Sequence, residues 1–366
     1  MKFNRVAGLV LIVFALMNGF TIVSAQEDSP LQVVATTSII ADVARNVGGD
    51  LVEVTSLIPP EADAHSYSLS PQQVVSITQA DVVLVNGATL EESLLDIVLD
   101  NATIPPIVVS VGVDVLAIGG HNEDENHDEE ADHDDHDEEA HEHEAVDYVG
   151  VLGDSAECDI DHEDHDGDEA HTDEEDAEHE GEEAHDHGVC DPHFWMSVPN
   201  VITWVENIQA AFTAVDPDNA GVYQDNADQY ILQLNALNDD IVEMVDTLPE
   251  VNRVLVTNHE FLGYFAAEYG FEVVGTVIPS ASTLADVNPQ DIIALVEVIA
   301  DENVSAIFAE VSANSDLAET VASEAGRDVA IITLYSEALS AEDGPASTYV
   351  DYMRYNATQI VTALGG

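Results

Sequence analysis

Three histidines, His65, His193 and His259, stand apart from the other twelve in the chain. Each sits in a short polar segment beside a proline or past an apolar strand-like run. The segments are Pro59-Pro60-Glu61-Ala62-Asp63-Ala64-His65, Asp191-Pro192-His193-Phe194-Trp195 and Thr257-Asn258-His259-Glu260-Phe261. Two carboxylates share this placement: Glu310 follows the run 306–309, and Glu337 lies just past 329–333. A lone loop histidine is more often an ordinary polar residue than a ligand. Here all three occupy such positions. Three imidazoles and a carboxylate suit Zn²⁺, which takes nitrogen and oxygen ligands tetrahedrally. With an open position the same set could activate water, Glu310 or Glu337 serving as base. A zinc-dependent hydrolase is therefore one alternative and a metal-stabilised adhesin another. No His-Glu-x-x-His or Gly-x-Ser-x-Gly sequence supports the hydrolase.

The positioning elements follow from hydrophobic pattern. Near-continuous apolar runs at 31–35, 52–58, 82–85 and 107–109 alternate with helical stretches near 38–47, 71–79 and 91–100. A second series at 254–257, 272–277, 306–309 and 329–333 alternates with helices near 261–269, 289–302, 315–326 and 347–363. Such alternation predicts two α/β units with parallel sheets covered on both faces. Ligands of open parallel sheets bind beyond the carboxyl ends of the strands, where the candidate residues fall. Between the units, Asp216-Pro217-Asp218 reads as a helix start. Ile231, Leu234, Leu237, Ile241, Met244 and Val245 then recur at helical spacing. Roughly 30 residues give a helix of about 45 Å, enough to span both units.

Composition sets the boundaries. The 366 residues carry 74 Asp+Glu against 6 Lys+Arg, a formal charge of −68. Nucleic acid and anionic membrane surfaces are poor partners, because repulsion opposes both, and cations are favoured. Residues 121–187 hold 33 of the acids and 12 of the histidines, with no Lys or Arg. This insert is expected to be disordered, since it lacks apolar surface to offset its ordering entropy. His121, His127, His133, His136, His141, His143, His162, His165, His171, His179, His185 and His187 read as an accessory metal-binding tract. Such a tract would raise the local zinc concentration. Cys158 and Cys190, the two cysteines, are expected to form a disulfide in an oxidising compartment. Lys2 and Arg5 precede an apolar run over 6–20, and Val23-Ser24-Ala25 offers a small-residue junction. A signal peptide over 1–25 is therefore expected. With no cysteine nearby to form a lipobox, the product is expected to be a soluble periplasmic or extracytoplasmic protein.

These residues carry a resemblance. Val34-Ala35-Thr36-Thr37-Ser38-Ile39-Ile40-Ala41-Asp42, then Pro59-Pro60 through His65-Ser66-Tyr67, Asp191-Pro192-His193-Phe194-Trp195, and His259 with Phe261, Tyr264-Phe265 and Tyr269-Gly270 occur in order. Together they resemble the zinc-binding solute-binding proteins of metal ABC transporters, the cluster A-I or ZnuA-like family. Glu61 and Ala64 stand where that family usually has Gly and Pro. The resemblance implies two Rossmann-like lobes joined by a long rigid helix, with metal in the cleft between them. It implies His65, His193 and His259 as ligands, Glu337 at the family's usual Asp position, and Glu310 as a cleft-lining residue that orients a histidine. Histidine at the third position implies zinc; manganese members usually have Glu there. The function implied is that of a non-enzymatic Zn²⁺ receptor, expected to be a monomer, serving an ABC permease and its cytoplasmic ATPase. A receptor for manganese or another divalent metal is the nearest alternative. The expected division is 1–25 signal peptide, 31–120 with 188–215 N-terminal lobe, 121–187 insert, 216–248 linker helix and 251–366 C-terminal lobe.

Overall fold

The computed structural model describes residues 29–91, 94–118, 190–285 and 287–366. The expected leader, the 121–187 insert with its twelve histidines, and Cys158 lie outside the described residues.

The first lobe runs β1 (Leu31–Ala35), α1 (Ser38–Gly48), β2 (Val52–Ser56), α2 (Pro71–Gln79), β3 (Val82–Val85), α3 (Leu95–Asn101) and β4 (Ile107–Val108). Its sheet is parallel, in the order β2-β1-β3-β4. All four residues of β3 are buried, as a strand covered on both faces requires. Local chemistry sets the helix starts. The Thr37 hydroxyl accepts from the Ile40 amide, and Ser70 with Gln73 forms a reciprocal capping box before Pro71.

Two helices follow, α4 (Val198–Val215) and α5 (Ala220–Val245). The hydrophobic pattern had not singled out α4, although Val198, Val201, Val205, Ile208 and Phe212 form its buried stripe. Pro217 begins a single 3₁₀ turn over 217–219, and the long helix starts only at Ala220. Its 26 residues span roughly 39 Å. Tyr223, Ala227, Tyr230, Leu234, Leu237, Ile241 and Val245 line one buried face.

The second lobe repeats the plan: β5 (Val254–Thr257), α6 (Gly263–Tyr269), β6 (Glu272–Thr276), α7 (Pro289–Asp301), β7 (Ala306–Glu310), α8 (Asp316–Glu324), β8 (Ala330–Leu334) and α9 (Tyr349–Ala363). Its sheet is parallel, in the order β6-β5-β7-β8. Helix α5 packs on α1 and α4 of the first lobe and on α9 of the second. One buried cluster passes from β1 and α1 through α4 and α5 to α6 and α9. Because that core is shared, the lobes cannot separate widely without opening it. A smaller cluster, including Leu295, Ile299, Ile307 and Val321, lies under α7 and α8.

Candidate metal centre

The ends of the second sheet present a histidine and its carboxylate together. The Asn258 amide donates to Phe308 O at 2.9 Å, extending the β5–β7 pairing by one residue. His259 is the next residue, and Glu310 closes β7 beside it. His259 Nδ1 lies 2.6 Å from Glu310 Oε1. The same carboxylate accepts from Asn258 Nδ2 at 3.0 Å and from the Ser336 hydroxyl at 2.5 Å. Glu310 is thereby held on both oxygens. It fixes the His259 ring so that Nε2 points away from it, a common arrangement around metal-ligating imidazoles.

The other histidines are held by carboxylates two residues upstream. Asp191 Oδ1 accepts from the His193 amide at 2.9 Å and lies 2.7 Å from His193 Nδ1. Asp63 Oδ1 accepts from the His65 amide at 2.9 Å, and its Oδ2 accepts from the Thr283 hydroxyl of the second lobe at 2.8 Å. Asp-x-His is thus repeated at 63–65 and 191–193. The sequence reading passed over Asp63 and Asp191, and this shared spacing was the signal that could have found them. The Asp191–Trp195 segment is tied down from several sides. Asn86 Nδ2 donates to Pro192 O at 2.9 Å, Trp195 Nε1 to Ser336 O at 2.8 Å, and the Tyr349 hydroxyl to Trp195 O at 2.8 Å.

Glu61 and Ala64, the two departures in the first segment, have structural counterparts. Glu61 has φ of 62°, a left-handed conformation that favours glycine. Its amide donates to Leu339 O at 2.9 Å, across the cleft. The Ala64 amide donates to Glu337 Oε2 at 2.5 Å.

His65, His193, His259 and Glu337 therefore converge. One ligand atom from each lies within 4.8 Å of all the others. His193 Nε2 and His259 Nε2 are 3.2 Å apart; Glu337 Oε1 is 3.2 Å from His65 Nε2 and 3.5 Å from His259 Nε2. A tetrahedron with metal–ligand bonds of about 2.0–2.1 Å has edges of about 3.3 Å, so these separations fit one ion. His65 Nε2 and Glu337 Oε1 are buried without a hydrogen-bond partner, a costly condition that a cation would relieve. His193, His259 and Glu337 are 0% exposed and His65 is 8% exposed. His65 thus marks the side of the centre nearest solvent.

Burial and the neighbouring carboxylates set the electrostatics of the centre. Burial alone would lower the His259 pKa, but Glu310, Glu337 and Asp191 raise it to about 9. Burial, with the neighbouring His259 and His65, lowers His193 well below the usual imidazole value. Burial raises Asp191 to about 7, against the His193 amide and the His259 charge, and burial also raises Glu337. In the metal-free site the proton on His259 Nε2 therefore faces a neutral His193 Nε2.

Gly263, the first residue of α6, leaves room for Asp191. A Cβ there would lie 2.4 Å from Asp191 Oδ2. Gly263→Ala is expected to push that buried carboxylate off His193. Displacing such a supporting group lowers metal affinity about 10- to 100-fold, and overpacking costs about 1–3 kcal/mol of stability. Metal titration and a thermal melt of the variant check both.

Comparison with known proteins agrees with this architecture. The profile of the family described as "Zinc-uptake complex component A periplasmic" matches residues 33–363. The manganese-binding lipoprotein MntA of Bacillus subtilis is 29% identical over 372 residues, covering 100% of both chains. MntA of Halalkalibacterium halodurans is 26% identical over 341 residues, 93% of this chain and 91% of that protein. A Mn-bound mutant of a periplasmic metal-binding protein from Candidatus Liberibacter asiaticus superimposes with a TM-score of 0.67, at 25% identity over 91% of this chain and 98% of that one. The periplasmic zinc-binding protein TroA from Treponema pallidum has the same fold, with a TM-score of 0.69 at 24% identity, over 92% of this chain and all of that one. These are binding proteins, not enzymes, and the hydrolase alternative falls with them.

The comparison also corrects the expected localisation. Relatives aligned over nine-tenths or more of their length are named lipoproteins, against the expectation of a freely soluble product without a lipobox.

Proposed function

Because the chain belongs to the family of zinc-uptake complex component A, a family of metal-binding receptors for ABC transporters, we propose that it captures Zn²⁺ through His65, His193, His259 and Glu337 and delivers it to a membrane permease driven by an ATPase. The observation that carries this reading is the convergence of three imidazole nitrogens and one carboxylate oxygen at a buried point. Imidazole-rich sites favour zinc over manganese, which prefers carboxylate, carbonyl and water oxygens. Asp191 and Glu310 meet the rings of His193 and His259, and Asp63 holds the backbone of His65. The shared core limits lobe movement, so release is expected to depend on docking to the permease. The receptor is proposed to act as a monomer.

The named relatives favour a second reading, a manganese receptor. Affinity alone does not separate the two, since zinc outcompetes manganese at most nitrogen-containing sites. Uptake does. Deleting the gene is expected to stop zinc accumulation at limiting zinc and leave manganese accumulation at limiting manganese intact. The reverse result assigns the receptor to manganese.

The insert histidines are proposed as a weak collecting tract and Cys158–Cys190 as its tether. Removing residues 121–187 is expected to leave one tight zinc site and to abolish the weaker sites that empty near pH 6.5, where imidazole protonates. Loss of the tight site in that titration would place the metal centre in the insert instead.

A further inference from the structure

Resting on that ligand assignment, we infer that the backbone amide of Ala64 restricts Glu337 to a single metal-binding oxygen, so that the centre selects a four-coordinate cation. The two oxygens of Glu337 have different surroundings. Oε2 accepts from the Ala64 amide at 2.5 Å. Oε1 has no hydrogen-bond partner and lies 3.2 and 3.5 Å from the Nε2 atoms of His65 and His259. A carboxylate that chelates a metal must turn both oxygens to it. Here turning Oε2 inward would strip the Ala64 amide of its acceptor inside a side chain environment with no exposure at Glu337. Leaving a buried donor unsatisfied costs about 1–3 kcal/mol. The result is three nitrogens and one oxygen, the count that zinc accepts. Manganese prefers a higher count with more oxygen.

The device joins the lobes as well. Ala64 precedes His65 in the first lobe, and Glu337 follows β8 in the second. The amide therefore sets the carboxylate's direction from the residue next to a ligand. The extra methylene of Glu over Asp gives the side chain the reach to serve the amide and the ion together. The same backbone hydrogen bond explains why alanine is useful at position 64: a proline there would have no N–H to donate.

Cobalt(II) is the probe, because its visible absorption is strong when four-coordinate and weak at higher coordination. The full-length protein loaded with cobalt(II) is expected to show the strong four-coordinate spectrum. Glu337→Asp keeps the charge but cannot reach both partners. It is expected to weaken the spectrum as a second oxygen or water joins the ion. It should also lower zinc affinity about 10- to 100-fold, as loss of a supporting contact does, and lower manganese affinity less. Circular dichroism and a thermal melt show that the variant is folded. A weak spectrum in the unaltered protein, or a Glu337→Asp spectrum and zinc-to-manganese ratio unchanged from it, would overturn the inference. The ligand assignment is tested separately by His259→Ala. If that variant keeps the cobalt(II) spectrum, the assignment itself is wrong, and the coordination inference falls with it.

Discussion

His259→Ala is expected to raise the zinc dissociation constant by about 100-fold or more. Zinc held by four protein ligands is bound with roughly 10–16 kcal/mol, so one ligand accounts for about 3 kcal/mol, or two decades. Metal-free stability should fall as well. Glu310 is 3% exposed, and its Oε1 lies 2.6 Å from His259 Nδ1. Removing the imidazole leaves that carboxylate in the core without its cation, and breaking a buried pair from one side costs about 3–5 kcal/mol. Glu310→Gln added to His259→Ala should restore much of the stability and none of the zinc affinity. Chelator competition and thermal melts of the two variants separate these effects. Equal zinc affinity in His259→Ala and the unaltered protein would remove His259 from the ligand set.

Zinc affinity is expected to rise about tenfold per pH unit between pH 7 and 9 and to level off above. The cause is the proton on His259. Burial opposes it, but Glu310, Glu337 and Asp191 hold its pKa at about 9 in the metal-free protein, against about 6.5 for an unperturbed imidazole. Zinc needs the Nε2 lone pair and must displace that proton, so binding gains one decade for each unit of pH up to about 9. Metal-free stability has the opposite sign. A raised folded pKa contributes stability that is fully present below about 6.5 and is lost as pH rises through 9. Asp191, raised to about 7 chiefly by burial, adds a second proton below pH 7 and steepens the dependence there. Competition titrations across pH 6–9, corrected for the chelator's own protons, measure the slope. A flat profile would mean that His259 is already neutral and that its contact with Glu310 is not an ion pair.

The sequence by itself determined the two parallel sheets and singled out the candidate ligands. Continuous apolar runs such as Val82–Val85 are legible because a strand covered on both faces has no polar side. The ligand candidates were legible because only three histidines lie outside the acidic tract and each follows a strand or flanks a proline. Helix α4 escaped although Ser197 stands at its N-cap and Pro199 in its first turn, because its stripe of Val198, Val201, Val205, Ile208 and Phe212 lies outside the strand–helix alternation of either lobe. Asp63 and Asp191 were visible as Asp-x-His but acquire meaning only when their oxygens are seen to meet the histidine amides.

The tertiary structure alone decided how the ligands are aimed. Glu310 reaches His259 because pairing in the second sheet brings the end of β7 beside the end of β5. Glu337 turns one oxygen to the cation site because the Ala64 amide, 273 residues away in the chain, takes the other. A residue's capacity to ligate is a property of its side chain and can be read locally. The direction of a lone pair, and the charge on a buried imidazole, belong to partners that only the fold brings within about 3 Å.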